Sequence, residues 1–473
     1  MTNKQGYADV LIGLQYGDEG KARIVDLFAK DYDIIARFNG GANAGHSVEF
    51  DGKKLALHQV PSGVFYPDKK LYIGSGCVVN VIKLAKEIQE VESMGIVLKG
   101  RLKISSQASI IQPHHIIIDQ ATGKYIGTTN NGIGPCYGDR ARRMIGKRIV
   151  NIRVGDLHNE LDFYLEKIKV NLENEIEKYG VSLIYDKVDN AVLEIKTAFL
   201  KIRDYIEVDT LWMQKEVENG AKVLFEGAQS VMLDVTKGSI PFVTSSNTIA
   251  SSAYTGGDLS VRYHNKVIGV AKAIMSRVGN GPFTSELGGK QSEEYCSMSN
   301  DDRTPTNSKE LEATYDMEVN LNSQDEFELS KGMRVVSGEY GVTSRRPRRI
   351  GIFDMVQLKY AVRMNGVDEL VITKVDMLSD FARTKFQGIP VVSEYLFKNK
   401  PIDFIPASAS SYYKVIGQRT ILKPFDQDLQ NIRKMEDLPN GAKEFINYIE
   451  QYSNVKVVGI GVGPDRDQYV DMR

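Results

Sequence analysis

The chain has few cysteines, no excess of either charge and no long apolar run, and each absence closes off a class of protein. Its 473 residues include three cysteines, Cys77, Cys136 and Cys296, odd in number, far apart and in no CxxC pair. That pattern argues against a disulfide framework and fits reduced thiols in a cytosol. Lys plus Arg total 60 against 61 for Asp plus Glu, so bulk charge does not point to nucleic acid. Nowhere do about 18 apolar residues run together, which argues against a membrane span. The polar start Met-Thr-Asn-Lys leads into an apolar run without a signal-type segment. A cytoplasmic location is expected, and no internal repeat is visible. A chain of this length can bury a large core without disulfides or metals as staples.

What is present is a series of short apolar runs. Asp9 to Leu14 (DVLIGL) is rich in β-branched residues and reads as a buried strand; glycines follow, and then Ile24 to Lys30 has helical spacing. Strand patterns recur at Asp33 to Phe38, Lys70 to Ile73, Leu102 to Ile104, Lys222 to Phe225, Lys266 to Ala271, Glu369 to Thr373 and Val455 to Ile460. Helical periodicity lies between them, as in Val81 to Met94 and Leu161 to Lys178. The expected fold is α/β, one domain over residues 1–473 around a large, mainly parallel sheet flanked by helices. Gly288 to Lys331 is polar with few apolar anchors and reads as an insertion or lobe.

Several polar glycine loops follow these strands. Gly17 to Lys21 (GDEGK) is a turn whose backbone amides, with the helix behind it, suit phosphate. It is no standard Walker loop: six residues separate Gly13 from Gly20 where that motif has four, and Ala22 stands in place of a metal-binding hydroxyl. Asn39 to Ser47 (NGGANAGHS) contains His46 between Gly45 and Ser47, a context for an acid or a stabiliser of phosphate charge. Gly127 to Gly134 (GTTNNGIG), followed by Asp139 to Arg143 (DRARR), suits a nucleoside monophosphate. Glu226 to Gln229 (EGAQ) and Val243 to Thr248 (VTSSNT) add further polar loops. In Thr373 to Asp376 (TKVD), the Asp376 carboxylate can accept both N1–H and N2–H of guanine, donors that adenine lacks. Gly463 to Arg466 (GPDR) suits the other side of the same base. Ligands of open α/β sheets bind at the carboxyl ends of strands, which is where such loops lie. Thr343 to Arg349 (TSRRPRR) reads, from charge alone, as a solvated basic loop.

In this order, with LHQVPSG at Leu57 to Gly63 and SRVGNGPF at Ser276 to Phe283, the segments resemble adenylosuccinate synthetases, which join aspartate to IMP at the expense of GTP in purine biosynthesis. The resemblance covers the chain apart from the polar segment and implies a P-loop-NTPase-related fold. It implies Asp18 as general base, His46 as catalytic acid and Lys21 as a third catalytic residue. Magnesium falls to Asp18 and the Gly45 carbonyl. The monophosphate nucleotide falls to Asn43, Thr128, Thr129, Gln229, Thr244, Val278 and, reaching across a homodimer, Arg143. L-Aspartate falls to Thr343, Ser344 and Arg346, which gives the basic loop a function. GTP falls to Gly17, Glu19, Gly20, Arg348, Lys374, Asp376, Gly463 and Pro464. No nucleic acid or membrane partner is implied.

The chain departs from the family pattern at identifiable places. Ala22 and Arg23 replace the Gly and Lys of GDEGKGK, and Ala42 replaces the first histidine of GGHNAGH. Asn130 and Asn131 replace the Gly and Arg of GTTGRG, and Pro347 replaces a loop arginine. A methyl at position 22 requires a negative φ. Two other functions are weighed beside the synthetase: the same chemistry on a guanine (deoxy)nucleotide, and a guanine-nucleotide-binding regulator without turnover. Retention of Asp18, His46 and Arg346 disfavours the regulator.

Overall fold

The computed structural model describes residues 6–43, 45–123, 128–180, 188–297, 309–341 and 346–473, apart from 51 and 52; the side chains of 46–50, 53, 54 and 310 lie outside that description. Its centre is a ten-stranded sheet. In chain order the strands are β1 (Tyr7–Gly13), β2 (Ile34–Arg37), β3 (Lys70–Ile73), β4 (Leu102–Ser105), β5 (Ile206–Glu207), β6 (Lys222–Ser230), β7 (His264–Lys272), β8 (Glu369–Thr373), β9 (Lys456–Gly461) and β10 (Tyr469–Asp471). Across the sheet they run β5-β4-β3-β2-β6-β1-β7-β8-β9-β10. The pairs β5/β4, β4/β3, β3/β2, β2/β6, β7/β8 and β8/β9 are parallel, and β10 joins β9 antiparallel. Val10, Leu11 and Ile12 are all buried, the unbroken burial expected of a strand covered on both faces.

The helices α1 (Lys21–Ala29), α2 (Val81–Ser93), α3 (Pro113–Thr122) and α4 (Ile133–Arg142) follow strands or loops of this sheet. Helix α2 buries Val81, Leu84, Ala85, Ile88 and Val91, a stripe at helical spacing. Its start is fixed by Asn80, whose side chain accepts from the Lys83 amide at 3.0 Å.

The chain forms two compact units. The first comprises Met1–Leu11, Lys21–Ala228 and Thr244–Lys266; the second comprises Ile12–Gly20, Gln229–Val243 and Val267–Arg473. In the first, Val78, Ile111, Ile133 and Cys136 form a buried cluster under α3 and α4. Cys77, Cys136 and Cys296 are all free and buried.

The second unit holds features that periodicity did not reveal. Ile389–Phe397 pairs antiparallel with both Lys400–Ile402 and Ile416–Leu422. The polar segment is helical at Gly289–Ser297, Lys309–Glu312, Met317–Leu321 and Glu326–Ser337. The last of these buries Phe327, Leu329 and Met333 together with Arg334, whose guanidinium meets the buried Glu312 at 2.5 Å. No helix among the described residues is long and apolar enough to cross a membrane.

Candidate active site

In the second unit, the turn after β1 is built around Glu19. Its carboxylate faces inward, accepting from the amides of Gln15 at 3.1 Å and Gly17 at 2.9 Å and from the Ser230 hydroxyl at 2.6 Å. A side chain at Gly13 would come within 2.1 Å of that hydroxyl and 2.3 Å of the Glu19 carboxylate, so glycine is required there. Gln15 clamps the end of β7 in both directions, donating to the Lys272 carbonyl and accepting from its amide, each at 3.0 Å. The turn thus has no freedom to relax, and Gly17, Asp18 and Gly20 are held at φ of 95°, 58° and 82°. Asp18 points outward with its side chain 38% exposed and meets Arg348 at 2.9 Å. Of the two adjacent acids, Glu19 shapes the turn and Asp18 is presented by it.

Arg348 reaches back to Glu339, also at 2.9 Å. Glu339 is fully buried and accepts from Lys374 at 2.5 Å, Lys272 at 3.1 Å and Ser276 at 2.7 Å. Burial alone would raise its carboxyl pKa, but Lys272, Lys374 and Arg348 outweigh that and hold it well below the usual range. Lys374 follows β8 at φ 56°, and Asp376, buried, opens the short helix Asp376–Arg383. The TKVD and GPDR loops are neighbours: the Val375 amide donates to the Gly461 carbonyl at 3.0 Å. Gly463 is buried and Pro464 exposed. Thr343 and Ser344 lie outside the described residues; Arg346 is exposed at the end of their loop, and Val278 is exposed too. Gln229 sits at φ 56° with its Oε1 buried and without a hydrogen-bond partner among the described residues.

In the first unit, Lys21 is buried as the first residue of α1. Ala22 is helical there and is absent from the residues with positive φ, so the conformation that a methyl demands is met. The NGG loop follows β2. The Gly40 amide donates to the Tyr137 hydroxyl at 3.0 Å, and that hydroxyl donates to the Gly76 carbonyl at 2.7 Å. Asn39, the first residue of the NGGANAGHS segment and given no role by the resemblance, exchanges hydrogen bonds with the Ala228 backbone at 3.1 and 2.9 Å and donates to Ser246 at 3.2 Å. It therefore joins the NGG, EGAQ and VTSSNT loops; Thr244 is half-buried in the last. Asn43 accepts from the Gly41 amide at 3.3 Å. Gly45 is exposed immediately before the strand His46–Phe50; the His46 side chain lies outside the described residues.

The loop before α4 brings Thr128 and Thr129 together with both asparagines. Thr128 donates to Asn130 at 3.2 Å, Asn131 donates to Thr129 at 3.1 Å, and Lys83 donates to Asn131 at 2.5 Å. Asn130 adopts φ 55°. That conformation favours glycine first and asparagine next, which accounts physically for asparagine in place of the family's glycine. Beneath the loop, Asp119 accepts from the Gly132 amide at 2.8 Å. The rings of His114 and His115 both meet Asp139 Oδ2, at 3.0 and 3.2 Å. Burial pushes the His114 imidazole down to about 4, with His115 adding to the effect and Asp139 opposing it. Arg143 follows α4 at φ 64°, exposed, ahead of the hairpin Met144–Ile145 and Arg148–Ile149.

Asp18, Arg143, Gln229 and Lys374 are all non-glycine residues at positive φ. Each such conformation costs free energy and persists only where surroundings enforce it, a concentration typical of functional loops. The adenylosuccinate synthetase family profile matches residues 10–470. Adenylosuccinate synthetase 2 of Cupriavidus pinatubonensis is 47% identical, covering 99% of this chain and 98% of its own. Adenylosuccinate synthetase of Mesoplasma florum is 35% identical, covering 98% and 97%. A fully ligated adenylosuccinate synthetase from Plasmodium falciparum has a TM-score of 0.83 at 31% identity, covering 99% of this chain and all of its own. A cyanophage S-2L succinoaminodeoxyadenylate synthetase bound to dGMP and dATP shares the fold at a TM-score of 0.57 and 16% identity, covering 99% and 96%. The chain belongs to the adenylosuccinate synthetase family.

Proposed function

We propose that this ligase performs its reaction, the GTP-dependent joining of L-aspartate to carbon 6 of IMP, in two steps run by the loops above. Asp18 takes the N1 proton of the hypoxanthine, and O6 then attacks the γ-phosphorus of GTP. The O6–P bond forms, the bond from that phosphorus to the β,γ-bridging oxygen breaks, and GDP leaves. The aspartate amine next attacks carbon 6 and gives up one proton, the C6–O6 bond breaks, and phosphate departs with O6, giving adenylosuccinate. The observation that carries this reading is the turn itself, in which Glu19 is engaged internally and Asp18 alone is held outward at φ 58°. A carbonyl oxygen is a poor nucleophile until a base removes the neighbouring proton.

The other roles follow the chemistry of the side chains. His46 and Lys21 stabilise the charge of the transferred phosphate. Asn43, Thr128, Thr129, Gln229, Thr244 and Val278 hold IMP, and the unpartnered Gln229 oxygen supports a ligand contact there. Arg143 completes that site in a homodimer; its exposure just beyond α4 supports action across subunits. Thr343, Ser344 and Arg346 grip the aspartate carboxylates. Gly17, Glu19 and Gly20 contribute backbone to the GTP phosphates. Arg348 adds charge to the same phosphates, and Lys374, Asp376, Gly463 and Pro464 frame the guanine. Asp18 and the Gly45 carbonyl offer the hard oxygen donors that magnesium prefers, while Ala22 offers none. When bound, magnesium supplies charge neutralisation to the β- and γ-phosphates. The setting is the cytoplasm.

The test uses purified protein with GTP, L-aspartate, magnesium and either IMP or dGMP, followed by GDP release and product absorbance. Product from IMP is expected. GTP binding without product from either nucleotide would contradict ligation, and product from dGMP alone would reassign the nucleotide.

A further inference from the structure

Glu339 lies at the root of the loop that contains Thr343 and Ser344. The Arg348 amide donates to its carbonyl at 3.0 Å, the Gly341 amide donates to the Arg346 carbonyl at 2.9 Å, and Tyr340 and Pro347 form a bridge between them. The same residue pair is joined a second time through side chains, Arg348 to Glu339 at 2.9 Å. From this point one buried carboxylate reaches three cations with different tasks. Lys272 is fully buried on β7 and acts as an internal counter-charge. Lys374 precedes the guanine-reading Asp376 and is further fixed by the Ser337 carbonyl at 2.8 Å. Arg348 passes the connection on to Asp18 at 2.9 Å.

We infer that Glu339 is a positioning residue that fixes Lys374 of the guanine loop, Arg348 beside the aspartate-binding segment, and the Asp18 turn in one mutual arrangement. This rests on the GTP-dependent reading of the site. Glu339 is too deeply buried to touch a ligand, so it acts through Lys374 and Arg348. Remove its charge and those two cations repel each other across the space it filled. Lys374, already in a left-handed backbone conformation, loses its counter-charge and is left with the Ser337 carbonyl at 2.8 Å. A residue with this role affects the KM for GTP and for aspartate, acts on kcat through Asp18, and leaves the KM for IMP unchanged.

Glu339→Gln alone strands the buried Lys272 charge and is expected to weaken folding. The informative comparison is therefore Lys272→Met against Lys272→Met/Glu339→Gln, in which the internal pair is removed from both sides. Lys272→Met keeps the hold of Glu339 on Lys374 and Arg348, and its kinetic constants are expected within threefold of wild type. The double variant, assayed well below its thermal midpoint, is expected to keep the KM for IMP of the single variant. Its KM for GTP and for aspartate should rise at least tenfold, and its preference for GTP over ATP should fall. Equal constants in the two variants would overturn the inference. So would a rise in KM for all three substrates together, because general loosening does not single out two of them. The dissociation constant of a fluorescent GTP analogue is measured in parallel. A wild type that binds the analogue without turnover would defeat the ligase reading, and the same binding comparison would still decide the role of Glu339.

Discussion

Replacing Asp18 with asparagine isolates the carboxylate from everything else the turn does. Position 18 is held at φ 58°, where asparagine is tolerated as readily as aspartate, whereas alanine would add ~1–2 kcal/mol of backbone strain. The side chain is 38% exposed and the buried Arg348 keeps Glu339 as a counter-charge, so losing the Asp18 charge costs roughly 1 kcal/mol or less of stability. Glu19, Gln15 and Ser230 still hold the turn. Chemistry is a different matter, because loss of a general base lowers turnover by about 10²–10⁴-fold. Asp18→Asn should therefore keep a thermal midpoint near wild type and bind a fluorescent GTP analogue within about tenfold of wild type, while kcat for GDP release falls by roughly two to four orders of magnitude. Turnover within about tenfold of wild type would refute the base assignment. A loss of turnover matched by an equal loss of nucleotide affinity would show that the carboxylate serves binding.

Asp376→Asn should reduce the preference for GTP over ATP by roughly 10- to 100-fold in kcat/KM, the size of a charge-assisted pair of hydrogen bonds; competition kinetics with both nucleotides check this, and an unchanged ratio removes Asp376 from the guanine pocket. Asn130→Gly should be neutral, whereas Asn130→Val places a β-branched residue at φ 55° and should raise KM for IMP about tenfold, the effect of ~1–2 kcal/mol of strain. Asp354 is a stability sensor outside the site. Burial pushes its carboxyl up to about 7, against the hydrogen bonds from the Gln357 amide and the Tyr395 hydroxyl. The folded protein keeps a proton that the unfolded chain releases near 3.8, so this group's contribution is complete below that pH and is lost as pH rises to about 7. The loss is on the order of 4 kcal/mol. Asp354→Asn should remove this slope, so urea unfolding at pH 5 and pH 8 should show the variant gaining on wild type at the higher pH; parallel pH dependence in the two proteins would rule the effect out.

Parallel strands were the most legible part of the fold. Lys70 to Ile73 and Glu369 to Thr373 agree with the observed strands at both ends, because a strand buried on both faces writes itself as an unbroken apolar run between breakers. The polar segment shows the converse. Its helix Glu326–Ser337 buries Arg334, Ser330 and Ser337 beside Phe327, Leu329 and Met333, and polar residues on the inward face dilute the apolar periodicity. Within the site, glycines and motif order exposed the loops, but not which carboxylate faces which way: Glu19 and Asp18 are adjacent in sequence and opposite in orientation. Glu339 escaped notice as a single acid ahead of a basic run. The available signal was electrostatic, since four arginines close to buried structure need a carboxylate among them.

If O6 of IMP is phosphorylated before aspartate displaces it, that oxygen leaves with the phosphate, and isotope transfer reads this out. IMP labelled with ¹⁸O at position 6 is incubated with GTP, L-aspartate, magnesium and the enzyme, and the released phosphate is analysed by mass spectrometry. One ¹⁸O is expected in each phosphate released and none in GDP. Unlabelled phosphate formed together with adenylosuccinate would contradict O6 phosphorylation.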